Sequence, residues 1–248
     1  MYNPFSIEGK RILVTGASSG IGRATAIECS KMGAKVVVTG RNKERLQKTL
    51  EELYGEGHQM ILADLSVEED LDLLVDSCPK LDGLVNNAGQ TIAMMTQFIT
   101  RENLNSLMEV NTIAPILLFQ RLIKKKKIGK GCSVVFTGSI SGVSCAGLGN
   151  VVYSTSKSAI SGFVKNAALD LAFKNIRVNA VCPGMVETHL LDAGTIGEEE
   201  LSRERDLYPM KRFGKPEEIA YAIIFFLSDA SSFTTGINMV VDGGFTLR

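Results

Sequence analysis

Short apolar runs alternate along the chain with longer segments whose apolar residues recur at helical spacing. Runs rich in valine, isoleucine and leucine predict buried strands at residues 11–15, 35–39, 59–64, 81–89, 134–139, 175–184 and 237–244. Strands and helices that alternate in this way predict an α/β fold with a doubly wound parallel sheet. The 248 residues are an ordinary length for one such domain.

A glycine-rich turn, GASSGIG at residues 16–22, joins the first of these strands to a segment with helical periodicity. Gly16, Gly20 and Gly22 allow a tight turn and a close approach of the backbone, and the start of the helix offers free N–H groups to a pyrophosphate. Glycine-rich turns also occur in loops that bind no ligand, but the position of this one between a strand and a helix favours a dinucleotide site.

The end of the second strand bears on which dinucleotide is bound. An acid there, about 20 residues after the glycine turn, binds the ribose 2′-hydroxyl of NAD, whereas an arginine accommodates the 2′-phosphate of NADP. This chain has Arg41 and no acid at that place. NADP(H) is therefore favoured over NAD(H). The alternative is that Arg41 is only an exposed residue before a helix capped by Asn42, because that arrangement has the same sequence pattern.

Other strand ends add polar and small residues to the same edge of the sheet. Asp64 ends the third predicted strand, residues 86–89 end the fourth, and Pro183 and Gly184 end the sixth. Open α/β sheets bind ligands at this carboxyl edge. Asp64 either contacts an adenine or only helps to end its strand, and Ser66 with Glu69 has capping-box spacing for the next helix.

The segment from Arg101 to Lys127 predicts one long helix with Asn111 and Pro115 near its middle. A proline inside a helix removes a hydrogen bond and clashes with the carbonyl group four residues earlier, here that of Asn111. We therefore expect a bend that aims Asn111 into the site. A further helix is expected from about Ser154 to Phe173.

Tyr153 and Lys157 are four residues apart, a spacing that places both on one face of a helix. A fixed ammonium group beside a phenol favours the phenolate, so we expect the pKa of Tyr153 to fall from about 10 towards neutrality. Ser139, at the end of an apolar run, would hold a carbonyl or alcohol oxygen beside the phenol. The alternative for such a pair alone is a packed ring beside a solvated ammonium group.

The amino-acid composition limits the classes of partner that the protein can bind. The 27 lysines and arginines balance the 27 acids, so no overall field attracts nucleic acid or an anionic membrane. No apolar stretch approaches the roughly 18 residues of a membrane span, and no apolar signal segment is seen at the start. The five cysteines are scattered singly, which predicts reduced thiols and no metal site. We expect a cytoplasmic protein.

Several motifs in a fixed order resemble the short-chain dehydrogenase/reductase family over essentially the whole chain. They are TGASSGIG at residues 15–22, NNAG at 86–89, Asn111, Ser139, YSTSK at 153–157 and PGMVET at 183–188. The final segments RFGKPEEIA and VVDGG are similar to those of 3-oxoacyl-(acyl carrier protein) reductases. The resemblance implies a Rossmann fold, hydride transfer from the nicotinamide C4 to a ketone or aldehyde carbon, and a homotetramer.

The resemblance also implies a role for each matching position. Tyr153 would protonate the substrate oxygen in reduction, and Lys157 would lower the pKa of Tyr153 and hold the nicotinamide ribose. Ser139 would orient the substrate oxygen, and Asn111 would hold a water that links Lys157 to solvent. The cofactor would be contacted by Gly16, Ser18, Ser19, Gly20, Ile21, Arg41, Asp64, Leu65, Asn87, Ala88, Gly89, Tyr153, Lys157, Pro183, Gly184, Val186 and Thr188. NADP-using members often have a basic residue where this chain has Ser19.

The substrate is not determined by these motifs. Lys130 and Lys174 fall where reductases of this family that act on acidic acyl carrier proteins have docking residues, which favours a carrier-linked 3-oxoacyl thioester. Lysines at helix ends are common, so a sugar, polyol or steroid carbonyl stays open. Residues from about 185 to 208 predict a flap over the pocket.

An alternative of another class is a protein that senses NADP(H) without catalysis. Such proteins keep the glycine turn and lose the tyrosine and lysine, whereas this chain keeps Ser139, Tyr153 and Lys157. A sugar-nucleotide epimerase or dehydratase fits the glycine spacing and the short carboxyl-terminal portion poorly.

Overall fold

A computed structural model describes residues 2–188 and 197–247 of the chain. The strands in these residues are β1 (Arg11–Thr15), β2 (Lys35–Gly40), β3 (Gln59–Leu62), β4 (Leu81–Asn86), β5 (Ile128–Thr137), β6 (Arg177–Pro183) and β7 (Asn238–Val241). They form one sheet in the order β3-β2-β1-β4-β5-β6-β7, and every neighbouring pair is parallel. The order reverses between β1 and β4, so the predicted doubly wound sheet of the Rossmann type is confirmed.

The helices cover both faces of this sheet. They are α1 (Gly20–Lys31), α2 (Lys43–Glu51), α3 (Glu68–Ser77), α4 (Arg101–Met108), α5 (Ala114–Lys124), α6 (Ile140–Val143), α7 (Val151–Leu171), α8 (Glu198–Leu207) and α9 (Pro216–Leu227). Short 3₁₀ turns occupy Thr96–Phe98, Ala172–Lys174, Asp229–Ser231 and Phe245–Leu247. Within the described residues, no helix combines the length and the apolar character that crossing a membrane requires.

Two apolar cores lie on opposite faces of the sheet, because successive side chains of a strand point to opposite sides. In β1, Leu13 enters one core, and Ile12 and Val14 enter the other. The first core is completed by α3, α5 and α7, and the second by α1 and α9. Burial on both faces explains why the strands are nearly continuous apolar runs.

The prediction of one helix from Arg101 to Lys127 is confirmed as far as Lys124, because α4, a π-helical turn and α5 follow one another without a break. α4 ends at Met108, a single π-helical turn spans Glu109–Ile113, and α5 ends at Lys124. The wider turn places Pro115 in the first turn of α5, where a missing N–H group is tolerated. The expected irregularity around Asn111 is present, but it is an inserted turn rather than a proline bend.

Two other local predictions need correction. The helix after β3 begins at Glu68 behind Val67 and has no side-chain cap. The Ser66 hydroxyl donates instead to Asp64 Oδ1 at 2.6 Å, because that carboxylate competes for it. The helix that carries Tyr153 begins at Val151, earlier than expected. Of the predicted flap, α8 is helical, and residues 189–196 lie outside the described residues.

Candidate active site

The glycine turn forms a cradle for a ligand, and at two of its positions only glycine can be accommodated. Gly16 has φ of +65°, and a Cβ on it would lie 2.8 Å from Ala88 Cα. A Cβ on Gly22 would collide with the carbonyl group of Gly16 and with the side-chain amide of Asn87. The start of α1 faces this cradle, with Ser18, Ser19 and Ile21 half-buried around it. Free N–H groups and open backbone therefore fit the pyrophosphate of a dinucleotide.

The loop after β4 is tied to the glycine turn through Thr15. Its hydroxyl accepts from the backbone N–H groups of Asn87 at 2.9 Å and Ala88 at 3.0 Å, and donates to the carbonyl of Val85. The Asn87 side chain bridges the Thr15 carbonyl and the Thr137 hydroxyl. Residues 87–89 therefore form a fixed wall of the cradle.

Arg41 and Asp64 face each other at the ends of β2 and β3. The Arg41 guanidinium lies 3.8 Å from the Asp64 carboxylate, and its side chain is 64% exposed. Partial burial acts to raise the pKa of Asp64, but hydrogen bonds from Ser66 and the charge of Arg41 outweigh it and hold the pKa below its usual value. The exposed guanidinium of Arg41 suits a phosphate group at the adenosine end of a dinucleotide. Leu65, the next residue, packs against the first core.

Ser139, Tyr153 and Lys157 meet beyond the end of β5. Ser139 is the N-cap of α6, where its Oγ accepts from the Ser141 N–H at 3.2 Å, and its side chain acts to lower the pKa of Tyr153 on α7. The Lys157 ammonium donates to the Thr137 carbonyl at 2.8 Å and lies 5.9 Å from the centre of the Tyr153 ring. Lys157 is only 5% exposed, so the solvated-ammonium alternative does not describe this pair.

The expected lowering of the Tyr153 pKa is not found, and that prediction is wrong for the described state. Burial raises the pKa of the phenol more than the hydrogen bond with Ser139 lowers it. Burial also lowers the pKa of Lys157 to about 8. Both groups lose hydration, and the lysine gives its hydrogen bond to a backbone carbonyl rather than to the phenol. Tyr153 is therefore protonated at neutral pH.

Asn111 lies in the π turn and is held from two sides. Its Oδ1 accepts from the Gln90 N–H at 2.8 Å, and its Nδ2 donates to the Gln90 carbonyl at 2.9 Å and to Ser156 Oγ at 3.0 Å. A Cβ on Gly89 would lie 3.2 Å from Asn111 Oδ1 and 3.5 Å from Lys157 Nζ. Gly89 thus allows both groups to approach the backbone closely, and the water link between them stays a prediction.

The loop after β6, residues 184–188, is here called the nicotinamide loop because the sequence motifs assign Val186 and Thr188 to that end of the cofactor. The loop follows Pro183, the last residue of β6, and Val186 forms a β-bridge with Gly214. Its end reaches the glycine turn, because a Cβ on Gly20 would lie 3.2 Å from Thr188 Cγ2. The structure therefore brings the predicted residues that follow six strands, β1 to β6, to one edge of the sheet. Their glycine cradle, cation and polar wall fit a nicotinamide dinucleotide.

Comparison with known proteins decides the family. The family model described as enoyl-(acyl carrier protein) reductase matches residues 16–246. The 3-oxoacyl-[acyl-carrier-protein] reductase FabG of Aquifex aeolicus is 33% identical over 245 residues, which cover 96% of this chain and 98% of that relative. The chain belongs to the short-chain dehydrogenase/reductase family. It is therefore an oxidoreductase of that family.

Other members of the short-chain dehydrogenase/reductase family are similar over the same length. The glucose 1-dehydrogenase of Gluconobacter oxydans is 35% identical over 247 residues, which cover 96% of this chain and 92% of that relative. Among solved structures, a Pseudomonas aeruginosa RhlG/NADP active-site complex has a TM-score of 0.92 at 30% identity, and covers 99% of this chain and 100% of that chain.

The motifs of this short-chain dehydrogenase/reductase do not reveal an apolar pocket between the loop after β4 and the segment before α7. The Met94 N–H donates to the Gly149 carbonyl at 2.7 Å, which joins the loop after β4 to the segment before α7. The pocket between them has a volume of about 490 Å³ and is lined by Ala93, Met94, Met95, Phe98, Leu148 and Gly149. The two adjacent methionines after NNAG were the signal in the sequence, because methionine lines adaptable binding surfaces.

Proposed function

We propose that this protein is an NADP(H)-dependent reductase of a ketone or aldehyde, with Tyr153 as the general acid. The observation that supports this most directly is the group of Ser139, Tyr153 and Lys157 beyond the end of β5, in which the Lys157 ammonium is buried. A protein that only senses NADP(H) has no need of a phenol beside a buried ammonium group there. That alternative is therefore disfavoured.

NADP(H) is preferred to NAD(H) because Arg41 is exposed at the end of β2, where a 2′-phosphate would meet it. Gly16, Ser18, Ser19, Gly20 and Ile21 would surround the pyrophosphate. Asp64 and Leu65 would lie at the adenine, Asn87, Ala88 and Gly89 at the ribose, and the residues from Pro183 to Thr188 at the nicotinamide. The RhlG neighbour in complex with NADP supports this assignment.

When bound, the nicotinamide supplies the hydride that reduces the carbonyl carbon. Ser139 donates a hydrogen bond to the carbonyl oxygen and holds it beside Tyr153. The phenol of Tyr153 transfers its proton to that oxygen as negative charge develops there. The raised pKa keeps this proton on the phenol until it is needed.

Lys157 and Asn111 act after Tyr153 has donated its proton: Lys157 stabilises the phenolate, and Asn111 helps to return a proton from solvent. The Lys157 ammonium, held by the Thr137 carbonyl, binds the nicotinamide ribose and stabilises the phenolate that forms on Tyr153. Asn111, which lies close to Gly89, holds a water through which solvent returns a proton. In the oxidative direction the same groups act in reverse order.

A 3-oxoacyl thioester is the favoured substrate because the pocket between the loop after β4 and the segment that leads into α7, the helix of Tyr153, is apolar. No lysine, arginine, aspartate or glutamate is among the described residues that line it, and Phe98 and Leu148 are 65% and 93% exposed. Apolar side chains suit an acyl chain, whereas sugar hydroxyls require polar partners that are satisfied one by one. A sugar or polyol carbonyl is the second candidate, since the glucose 1-dehydrogenase is equally similar.

A carrier-linked form of that substrate is supported by two neighbouring lysines. The Gly131 N–H donates to the Asn175 carbonyl at 3.2 Å, so the start of β5, which carries Lys130, lies beside the 3₁₀ turn that ends at Lys174. Two exposed cations at one place suit an acidic carrier protein. Charge reversal of both lysines should lower kcat/KM for the carrier-bound substrate and leave a small thioester unaffected. Equal losses on both substrates would argue against docking.

The assembly is proposed to be a homotetramer in the cytoplasm. Ile113 and Leu169 are exposed at the helices next to the first core, and Tyr221 and Val240 are exposed on α9 and β7. Exposed apolar side chains on α7 and α9, which cover opposite faces of the sheet, suit contacts with further copies of the chain. Residues 185–208 would act as a flap over the single domain. Light scattering tests the assembly, because a monomeric mass at micromolar concentration would contradict it.

The experiment for the main proposal follows NADPH and NADH absorbance against an acetoacetyl thioester, small diketones and keto sugars. Turnover of the thioester with a preference for NADPH is the expected result. Turnover confined to keto sugars would favour the second candidate. Cofactor binding without turnover on the whole panel would favour the sensor.

A further inference from the structure

The nicotinamide loop is braced from behind by the backbone of two other segments. The Gly184 N–H donates to the Val241 carbonyl at 3.0 Å, at the end of β7. The Glu187 N–H donates to the Gly214 carbonyl at 2.8 Å, and the Gly214 N–H donates to the Met185 carbonyl at 3.0 Å. The position of the loop therefore depends on chain that is far from it in sequence.

Tyr208, the residue after α8, adds a side-chain contact to this brace. Its hydroxyl oxygen accepts from the Met185 N–H at 2.8 Å, and the residue is only 2% exposed. A Cβ on Gly184 would lie 3.2 Å from the Tyr208 ring, so the ring lies directly against the start of the loop. A larger residue than glycine at 184 would force the two apart.

The C-terminal turn holds the Tyr208 ring from its other side. The ring lies 4.8 Å from that of Phe245 and 5.5 Å from that of Phe213, measured between ring centres. Asp242 fixes the turn that carries Phe245, because its carboxylate accepts from the N–H groups of Gly244 and Thr246 and from the Thr246 hydroxyl. The ring and its hydroxyl thus have one defined position.

We propose that Tyr208 is a positioning residue for the nicotinamide half of the cofactor. It acts through Met185, by keeping the nicotinamide loop in its binding position before the cofactor arrives. This inference rests on the proposed function, because it takes Val186 and Thr188 as the residues that meet the nicotinamide. A loop that spends less time in the binding position weakens the observed affinity by the same factor.

The test compares two ligands on Tyr208→Phe, which keeps the ring and its packing and removes the acceptor of the Met185 N–H. The dissociation constant of NADPH, followed by its fluorescence, should rise about three- to tenfold, because one hydrogen bond of the loop is lost. The dissociation constant of 2′-phospho-ADP-ribose, which lacks the nicotinamide, should stay unchanged. Tyr54→Phe, at an exposed ring, is the matched control and should change neither value.

Phe245→Leu provides a second variant that loosens the ring without touching the hydroxyl, and it should show the same selective loss. Equal weakening of both ligands would mean that Tyr208 supports the fold as a whole, and would overturn the inference. Unchanged NADPH binding in both variants would also overturn it. A wild-type protein that binds neither ligand would contradict the proposed function instead.

Discussion

Replacement of Arg41 by serine should lower the preference for NADPH over NADH. Arg41 is the basic side chain at the end of β2, and its interaction with a 2′-phosphate would be a charge-assisted hydrogen bond. Such bonds contribute about 1.5–3 kcal/mol. The exposed fraction of 64% and the Asp64 carboxylate at 3.8 Å place this one near the lower end of the range, since water and the competing charge screen it.

A loss of about 1.5 kcal/mol corresponds to roughly a tenfold fall in kcat/KM for NADPH. The value for NADH, which has no 2′-phosphate, should not fall. Asp64→Asn should act in the opposite direction on NADPH, because it removes the carboxylate that competes for Arg41 and repels the phosphate. Both variants are assayed from nicotinamide absorbance at a fixed substrate concentration, over a series of cofactor concentrations.

Lys48→Ser is the matched control, because it removes one positive charge from the exposed surface of α2 without changing the end of β2. It should leave the ratio of the two kcat/KM values unchanged. An unchanged ratio in Arg41→Ser would refute the assignment of Arg41. A fall of the same size with both cofactors would show that Arg41 supports the local structure only.

Three further results are expected. Gly22→Ala should lower the melting temperature and abolish NADPH binding, because the new methyl group would collide with the Gly16 carbonyl. The control is Gly162→Ala, which has nothing within 4 Å of its Cβ and should be neutral or slightly stabilising. Burial lowers the pKa of Lys157 to about 8, so the ammonium is present below that pH and lost above it. The kcat/KM for NADPH should therefore fall as pH rises through about 8, and a flat profile from pH 6 to 9.5 would count against this role. Leu148→Asp should lower kcat/KM for long acyl thioesters more than for acetoacetyl thioesters, and a uniform loss would mean that the pocket does not receive the acyl chain.

Features that depend on neighbouring residues in the sequence were predictable. The strands follow from runs of β-branched residues, and the observed β1 covers the predicted residues 11–15. Asn42 caps α2 as expected, since its side chain accepts from the Arg45 N–H at 2.9 Å. The glycine cradle was predictable for the same reason, because strand, turn and helix are consecutive.

Features that depend on distant contacts were not predictable. The π turn at Asn111 forms where this side chain meets Gln90 and Ser156, which belong to other segments. The direction of the Tyr153 pKa shift depends on how much water the whole fold removes from the phenol, and spacing alone says nothing about that. The contact between Tyr208 and Met185 joins segments that carry no shared motif.

The central claim is that Tyr153 gives the proton while the rest of the site holds the cofactor. The most direct test measures NADPH binding and ketone turnover in Tyr153→Phe. Turnover should fall about 10²- to 10⁴-fold, because the general acid is gone, and the dissociation constant of NADPH should stay close to that of the wild type. A Tyr153→Phe protein that reduces the same ketone at the wild-type rate would contradict the account.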